Sequence, residues 1–219
     1  MKNNAAVLWT GGKDCALAFL KGLEANYIIT HLVTFAPEKA SFKAHNLSLI
    51  QEQVKAIGLP HLLLTVKPPV QESYENQIAF LKKEYQINTL ITGDIDEIEN
   101  HDHWIEKCSE KSGMLVYNPL WKKPRTYLLE QLIKNKFHVI FSLVKKPFFT
   151  KEWVGKELNK ETITDLKKLN IDICGENGEY HSMVLNTPYF KKPITKEFSE
   201  VIETDAYYYL DIQPSNPKG

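Results

Sequence analysis

Two short stretches of this sequence gather side chains able to do chemistry. The first is Thr10-Gly11-Gly12-Lys13-Asp14-Cys15, with a hydroxyl, paired glycines, a cation, a carboxylate and a thiol in succession. An apolar strand-like run (AAVLW) precedes it and a helical apolar pattern follows. A helix start presents free backbone N–H groups and the positive end of the helix dipole, which together attract anions. Gly11 and Gly12 would let the backbone close around a phosphate. Lys13 would supply a positive charge and Thr10 a hydroxyl, while Asp14 could cap the helix or hold a magnesium ion beside a polyphosphate. A tight strand-to-helix turn with a helix cap accounts for the same residues without a ligand. The spacing is not that of the G-x-x-x-x-G-K-[ST] phosphate loop.

The second stretch is CGENGEYHSMVL, beginning at Cys174. Gly175 and Gly178 flank Glu176 and Asn177, and Glu179, Tyr180 and His181 follow directly. A carboxylate pair beside an amide and an imidazole can position an amine, hold a metal or transfer a proton. A glycine-rich turn with its polar groups in water is the alternative. Weaker candidates lie elsewhere. Gly93 and Asp94 end a strand-like run, INTLIT, where open α/β sheets place ligands, and Asp94 could either hold magnesium or cap a turn. Backbone groups of Phe35–Pro37, after the second strand, could read adenine, and His45 could reach phosphate or simply sit on the surface. His101 and His103, two apart, would not share a helix face, which argues against a metal pair. Tyr207–Tyr209 could stack on RNA, but alternation along a strand favours core packing with a tyrosine at the rim.

The elements that must position these groups are legible from apolar periodicity. Strand-like runs at Ala5–Trp9, Tyr27–Phe35, His61–Val66 and Ile87–Thr92 alternate with helical stripes at Asp14–Glu24, His45–Ile57 and Glu72–Glu84. This predicts an α/β fold: a parallel sheet with helices on both faces, Rossmann-like in its alternation. A polar helix is expected over Asn100–Lys111, a strand at Met114–Tyr117, a helix at Thr126–Asn135 and a strand at Phe137–Val144. Short helices are expected near Lys151–Leu158 and Thr162–Leu169. The last fifty or so residues read as a small β-rich section. We therefore expect an α/β domain over residues 1–120 and a smaller C-terminal α+β domain over 121–219 that would bind an acceptor.

Composition narrows the classes. The chain has 219 residues, is 43% hydrophobic, and carries 27 basic against 27 acidic side chains. A core of ordinary size fits that content, and the balanced charge argues against nucleic acid as partner. The three cysteines are far apart and form no C-x-x-C, so neither a disulfide framework nor a zinc site is expected. A reducing cytoplasm is the expected home, with no membrane association, and the sequence leaves a homodimer open.

The first stretch resembles the S-G-G-x-D-S loop of the ATP pyrophosphatase superfamily, with Thr10 in place of the first serine and Cys15 in place of the last. Both stretches together resemble the diphthine–ammonia ligase family, whose ligase domain ends in G-E-N-G-E-[FY]-H, here Gly175–His181, followed by Pro188 and Phe190. The resemblance extends to AHNLSLIQEQVKAIGLP (Ala44–Pro60), TGDI (Thr92–Ile95) and NPLW (Asn118–Trp121), and covers most of the chain from Ala5 to Ile194. It implies an adenine nucleotide alpha hydrolase-like fold, ATP and magnesium as cofactors, and activation of a carboxylate as an acyl-adenylate that ammonia converts to an amide. It further implies that Thr10, Gly11, Gly12, Lys13, Asp14, Cys15, Phe35, His45, Gly93 and Asp94 bind the nucleotide, with Asp14 and Asp94 on the metal. Lys13, Glu176, Asn177, Glu179 and His181 are the expected catalytic set. The stretch Asp96–Cys108 (DEIENHDHWIEKC) lacks the tyrosine and arginine residues of eukaryotic and archaeal members, which brings the chain nearer to bacterial relatives and leaves the acceptor open. A thiolation or RNA-modifying enzyme on the same fold, or a nucleotide-binding module without catalysis, are the competing readings. The missing cysteine pair counts against the former, and the intact Lys13, Asp14 and Glu176–His181 against the latter.

Overall fold

The computed structural model describes residues 4–38, 46–97, 103–195 and 200–211. His45, His101 and the C-terminal end fall outside the described residues. The chain divides into two units that are discontinuous in sequence. Among the described residues the first holds 4–10, 14–38, 59–97 and 103–123, and the second holds 11–13, 46–58, 124–195 and 200–211.

The first unit is built on five parallel strands: β1 (Asn4–Leu8), β2 (Ile28–Pro37), β3 (His61–Val66), β4 (Thr89–Ile91) and β5 (Leu115–Tyr117). Their spatial order is β3-β2-β1-β4-β5. Every adjacent pair is parallel, so helical crossovers must join them. The helix α1 (Lys13–Glu24) covers one face: a side-chain carbon at Gly22 would come within 2.6 Å of Ile91 Cδ1 on β4. The neighbouring Leu90 points the other way, as strand alternation requires. There it joins Ala6, Val33 and Leu64 in a buried cluster with Ile78 and Leu81 of α3 (Val70–Tyr85) and Ile105 and Cys108 of α4 (Trp104–Ser109). Helices thus lie on both faces of the parallel sheet, as the alternating pattern predicts.

The second unit contains α2 (Leu47–Ile57), α5 (Arg125–Lys134), α6 (Lys160–Leu166) and a four-stranded antiparallel sheet. The strands are β6 (His138–Lys145), β7 (Tyr180–Asn186), β8 (Glu200–Glu203) and β9 (Tyr207–Asp211), in the order β7-β6-β9-β8. The central strand β6 buries six residues in a row, Val139 to Val144. Phe141 stacks edge-on against Trp153 and Tyr180, anchoring β7. Asn46 caps α2 through its side chain, accepting from the Ser48 and Leu49 N–H groups, and Gly58 ends the helix in the left-handed conformation.

Several element boundaries differ from the sequence expectation. The strand β2 runs to Pro37, because Phe35, Ala36 and Pro37 pair with Leu64, Thr65 and Val66. Phe35–Pro37 is therefore strand and not the loop after it. The helix expected over Lys151–Leu158 is a single 3-10 turn, Lys151–Trp153. Its continuation is drawn to the sheet instead: the Gly155 and Leu158 N–H groups donate to the Phe141 and Val139 carbonyls. His103 stands ahead of α4 at φ 51°, and α4 gives way to a 3-10 turn at Glu110–Ser112. No helix among the described residues is long and apolar enough to cross a membrane.

Candidate functional site

In the second unit the glycine loop and the second signature meet at Lys13. The side chain is 3% exposed. Its Nζ donates to the Cys174 carbonyl at 2.6 Å and lies 5.3 Å from the centre of the Tyr180 ring. Carbonyl dipole and aromatic face are both suited to a cation removed from water. The Lys13 N–H donates to Ser182 Oγ of β7 at 3.2 Å. Gly11 is at φ 81°, and a side-chain carbon there would fall 2.5 Å from Gln53 Oε1, so only glycine fits. Its carbonyl accepts from Val184 N–H at 3.0 Å and from Gln53 Nε2 at 2.9 Å. Gln53, fully buried on α2, donates as well to the Val184 carbonyl at 2.8 Å. One amide thus ties the glycine loop to the strand that carries His181.

The Cys174–His181 segment is a tight loop leading into β7. Gly175 sits at φ 79°, where a side-chain carbon would meet the Tyr180 carbonyl at 2.8 Å. Glu179 is 4% exposed, and its carboxylate accepts from three donors. Oε1 takes the Asp172 N–H at 2.9 Å and Asn177 Nδ2 at 3.1 Å, and Oε2 takes the Asn177 N–H at 2.9 Å. Glu179 and Asn177 therefore hold each other and the turn. Glu176 and His181 are half-buried, and His181 lies opposite Leu143 of β6.

In the first unit, the carboxyl ends of β1 and β4 bring a second group together. Gly93 packs so closely on the Asp14–Cys15 peptide that a side-chain carbon there would lie 2.6 Å from Cys15 N. Thr10 is exposed, and its hydroxyl donates to the buried Cys15 Sγ at 3.7 Å. Asp94 accepts from Thr92 Oγ1 at 2.5 Å. Burial pushes the Asp94 carboxyl above the usual carboxylate range; the Thr92 hydroxyl pulls it back, and the Asp14 charge adds a further upward push. Two carboxylates close enough to repel fit a divalent cation, and magnesium is commonly held by one or two carboxylates with phosphate oxygens and water completing its shell. Among the described residues no group of three or more His, Cys, Asp or Glu side chains is placed to hold a metal unaided. Phe35 turns its ring onto Tyr74, 4.6 Å away, and packs against the apolar cluster.

The expected residues thus fall into two sets. Thr10, Asp14, Cys15, Phe35, Gly93 and Asp94 belong to the first unit, and Gly11, Gly12, Lys13, Glu176, Asn177, Glu179 and His181 to the second. Sequence reading missed Gln53, Arg125, Asp172 and Ser182. Gln53 had a signal: it interrupts the stripe of Leu49, Ile50, Ala56 and Ile57 that α2 buries.

Comparison with known proteins gives matches in two contiguous stretches, so Gly11, Gly12, Lys13 and α2 of the second unit fall within the N-terminal one. The family model for the diphthamide synthase N-terminal domain matches residues 2–116, and that for the diphthamide synthase C-terminal domain matches residues 123–213. The chain belongs to the diphthamide synthase family. Within it, the chain is 31% identical to diphthine–ammonia ligase of Schizosaccharomyces pombe over 102 residues, 45% of this chain and 17% of that protein. It is 22% identical to the Bos taurus diphthine–ammonia ligase over 231 residues, 92% of this chain and 85% of that protein. A solved structure described as a predicted subunit of tRNA methyltransferase from Methanocaldococcus jannaschii superposes with a TM-score of 0.49 at 19% identity, over 87% of this chain and 99% of that one. The glycine loop lies within the N-terminal match and Cys174–His181 within the C-terminal match.

Proposed function

We propose that this protein is an ATP-dependent, AMP-forming ligase that adenylates a carboxylate and amidates it with ammonia. The contact that carries this reading is the Lys13 ammonium on the Cys174 carbonyl, which joins the glycine loop to the second signature. Thr10, Gly11, Gly12, Lys13, Asp14 and Cys15 would take the phosphates, with Gly93 beside them. Their backbone N–H groups and the lysine would stabilise charge on the α-phosphate. Asp14 and Asp94 would hold magnesium, which supplies charge neutralisation on the phosphate oxygens. Glu176 and His181 are the groups left to accept a proton from ammonium or the attacking amine. Glu179 and Asn177 would keep that loop in shape. The relatives named diphthine–ammonia ligase support a carboxylate acceptor and ammonia as the nitrogen source.

The test is calorimetric titration of the wild type and of Lys13→Ala with a non-hydrolysable ATP analogue and magnesium. Micromolar binding, weakened tenfold or more by the substitution, about 1.4 kcal/mol, is the expected result. Absence of binding by folded wild-type protein would overturn the reading.

A further inference from the structure

Lys13 is held by a carbonyl, and what aims that carbonyl is a pair of residues outside both signature stretches. Arg125, at the start of α5, donates from Nε to Asp172 Oδ2 at 2.9 Å, and both side chains are largely buried. Asp172 Oδ1 accepts the Cys174 N–H at 2.7 Å. The Asp172 main-chain carbonyl accepts the Gly175 N–H at 2.9 Å. That second bond sets the direction of the lysine's acceptor. In a trans peptide the C=O of one residue and the N–H of the next point oppositely. Anchoring the Gly175 N–H on Asp172 therefore turns the Cys174 carbonyl away from Asp172 and toward the Lys13 ammonium. The same segment fixes the aromatic wall, because the Tyr180 hydroxyl donates to the Ile173 carbonyl at 2.8 Å. Arg125 closes the arrangement from its own backbone, where its carbonyl accepts the Cys174 thiol at 3.6 Å.

We propose that Asp172, clamped by Arg125, is a positioning residue for Lys13: the pair orients the Cys174 peptide, and that peptide sets where the ammonium stands. The charged pair is more than a fastening of α5 to a loop: the Asp172 carboxylate fixes the Ile173–Cys174 peptide, whose carbonyl holds the Tyr180 hydroxyl, and the clamp on Asp172 holds the residue whose main-chain carbonyl turns the Cys174 carbonyl toward Lys13. The catalytic consequence rests on the ligase reading given above; the positioning itself does not. Trace acetylation with acetic anhydride, read peptide by peptide by mass spectrometry, measures how well each lysine amine is sheltered. Lys83, whose side chain is 84% exposed, is the internal reference.

In Asp172→Ala we expect Lys13 to label at least tenfold faster relative to Lys83. Asp172→Asn keeps an oxygen for the Cys174 N–H but sets its NH2 group against the Arg125 Nε–H, so the clamp is lost and Lys13 should label faster than in wild type, as in Arg125→Gln. Arg125→Gln should label like Asp172→Ala, and it decides the question alone if Asp172→Ala does not fold. Unchanged Lys13 labelling in a folded Asp172→Ala or Arg125→Gln protein overturns the assignment and leaves the pair as a fastening only. No nucleotide takes part in this measurement. A wild type that binds no ATP analogue would sink the ligase reading while the labelling result stood.

Discussion

Replacing Glu179 with glutamine separates a carboxylate that holds a loop from one that moves a proton. The substitution preserves volume, so it leaves no cavity. It converts one of the two oxygens to an NH2 group in a place where every neighbour is a donor: the Asp172 N–H, the Asn177 N–H and Asn177 Nδ2. The least costly rotamer puts the NH2 at Oε2, where it loses the Asn177 N–H bond and faces that hydrogen directly. A buried hydrogen bond to a charged group is worth about 1.5–3 kcal/mol, and a donor left without an acceptor costs about 1–3 kcal/mol. The other two bonds survive, weakened by loss of the negative charge. We expect Glu179→Gln to destabilise the protein by about 2–4 kcal/mol. With a urea slope of about 2 kcal/mol/M, the midpoint should fall by about 1–2 M. Equilibrium unfolding in urea, followed in parallel by circular dichroism and tryptophan fluorescence, reads this directly. A midpoint within about 0.3 M of wild type, together with a hundredfold loss of pyrophosphate release, would refute the reasoning and return Glu179 to the reacting groups.

Two further outcomes follow from the geometry. Gly175→Ala should destabilise by at least about 1–2 kcal/mol in the same unfolding assay, since a left-handed non-glycine residue carries that cost before the contact with the Tyr180 carbonyl is counted; equal stability would show that the loop relaxes freely. His61, whose Nε2 lies 2.8 Å from Thr34 Oγ1, has its imidazole pushed below its ordinary 6.5 by burial. A depressed folded-state value means that its contribution to stability is complete above pH 6.5 and is lost as the pH falls below that point. The stability difference between pH 7.5 and pH 5.5 should therefore shrink in His61→Gln, and an unchanged difference would rule His61 out as a source of acid sensitivity.

The α/β half of the fold was open to reading because its strands and helices differ in apolar period, and both periods survive in the sequence. Ala5–Trp9 and Asp14–Glu24 show this plainly, and so does the glycine loop at their junction. The boundaries that shifted did so through partners distant along the chain. Pro37 is strand because Val66 pairs with it, and residues 154–158 leave helix because β6 offers carbonyls to them. The same limit applied to the site. The two signature stretches were visible as clusters of reactive side chains, but their supports are single polar residues whose partners lie far away. Arg125 stands 47 positions from Asp172, and nothing local marks either one. Glu179 was conspicuous as a carboxylate beside a histidine, yet its role in the turn depends on backbone N–H groups, which a sequence does not display.

The discontinuity of the second unit bears on how the protein is made. Gly11 and Gln53 are synthesised early, but they complete their bonds with Val184, which lies 131 residues beyond Gln53. Chains emerge from the ribosome at about 5–20 residues per second, so the buried amide of α2 waits several seconds for its acceptor. During that interval α2 has an apolar stripe and a polar group with no strand to meet them. The parallel sheet can assemble as its own strands appear, whereas the glycine loop and α2 reach their final contacts only once β7 has been translated. Folding of the lysine's surroundings is thereby deferred until β7 has been made, and a chain broken off before β7 would carry the glycine-loop sequence without the contacts that fix it.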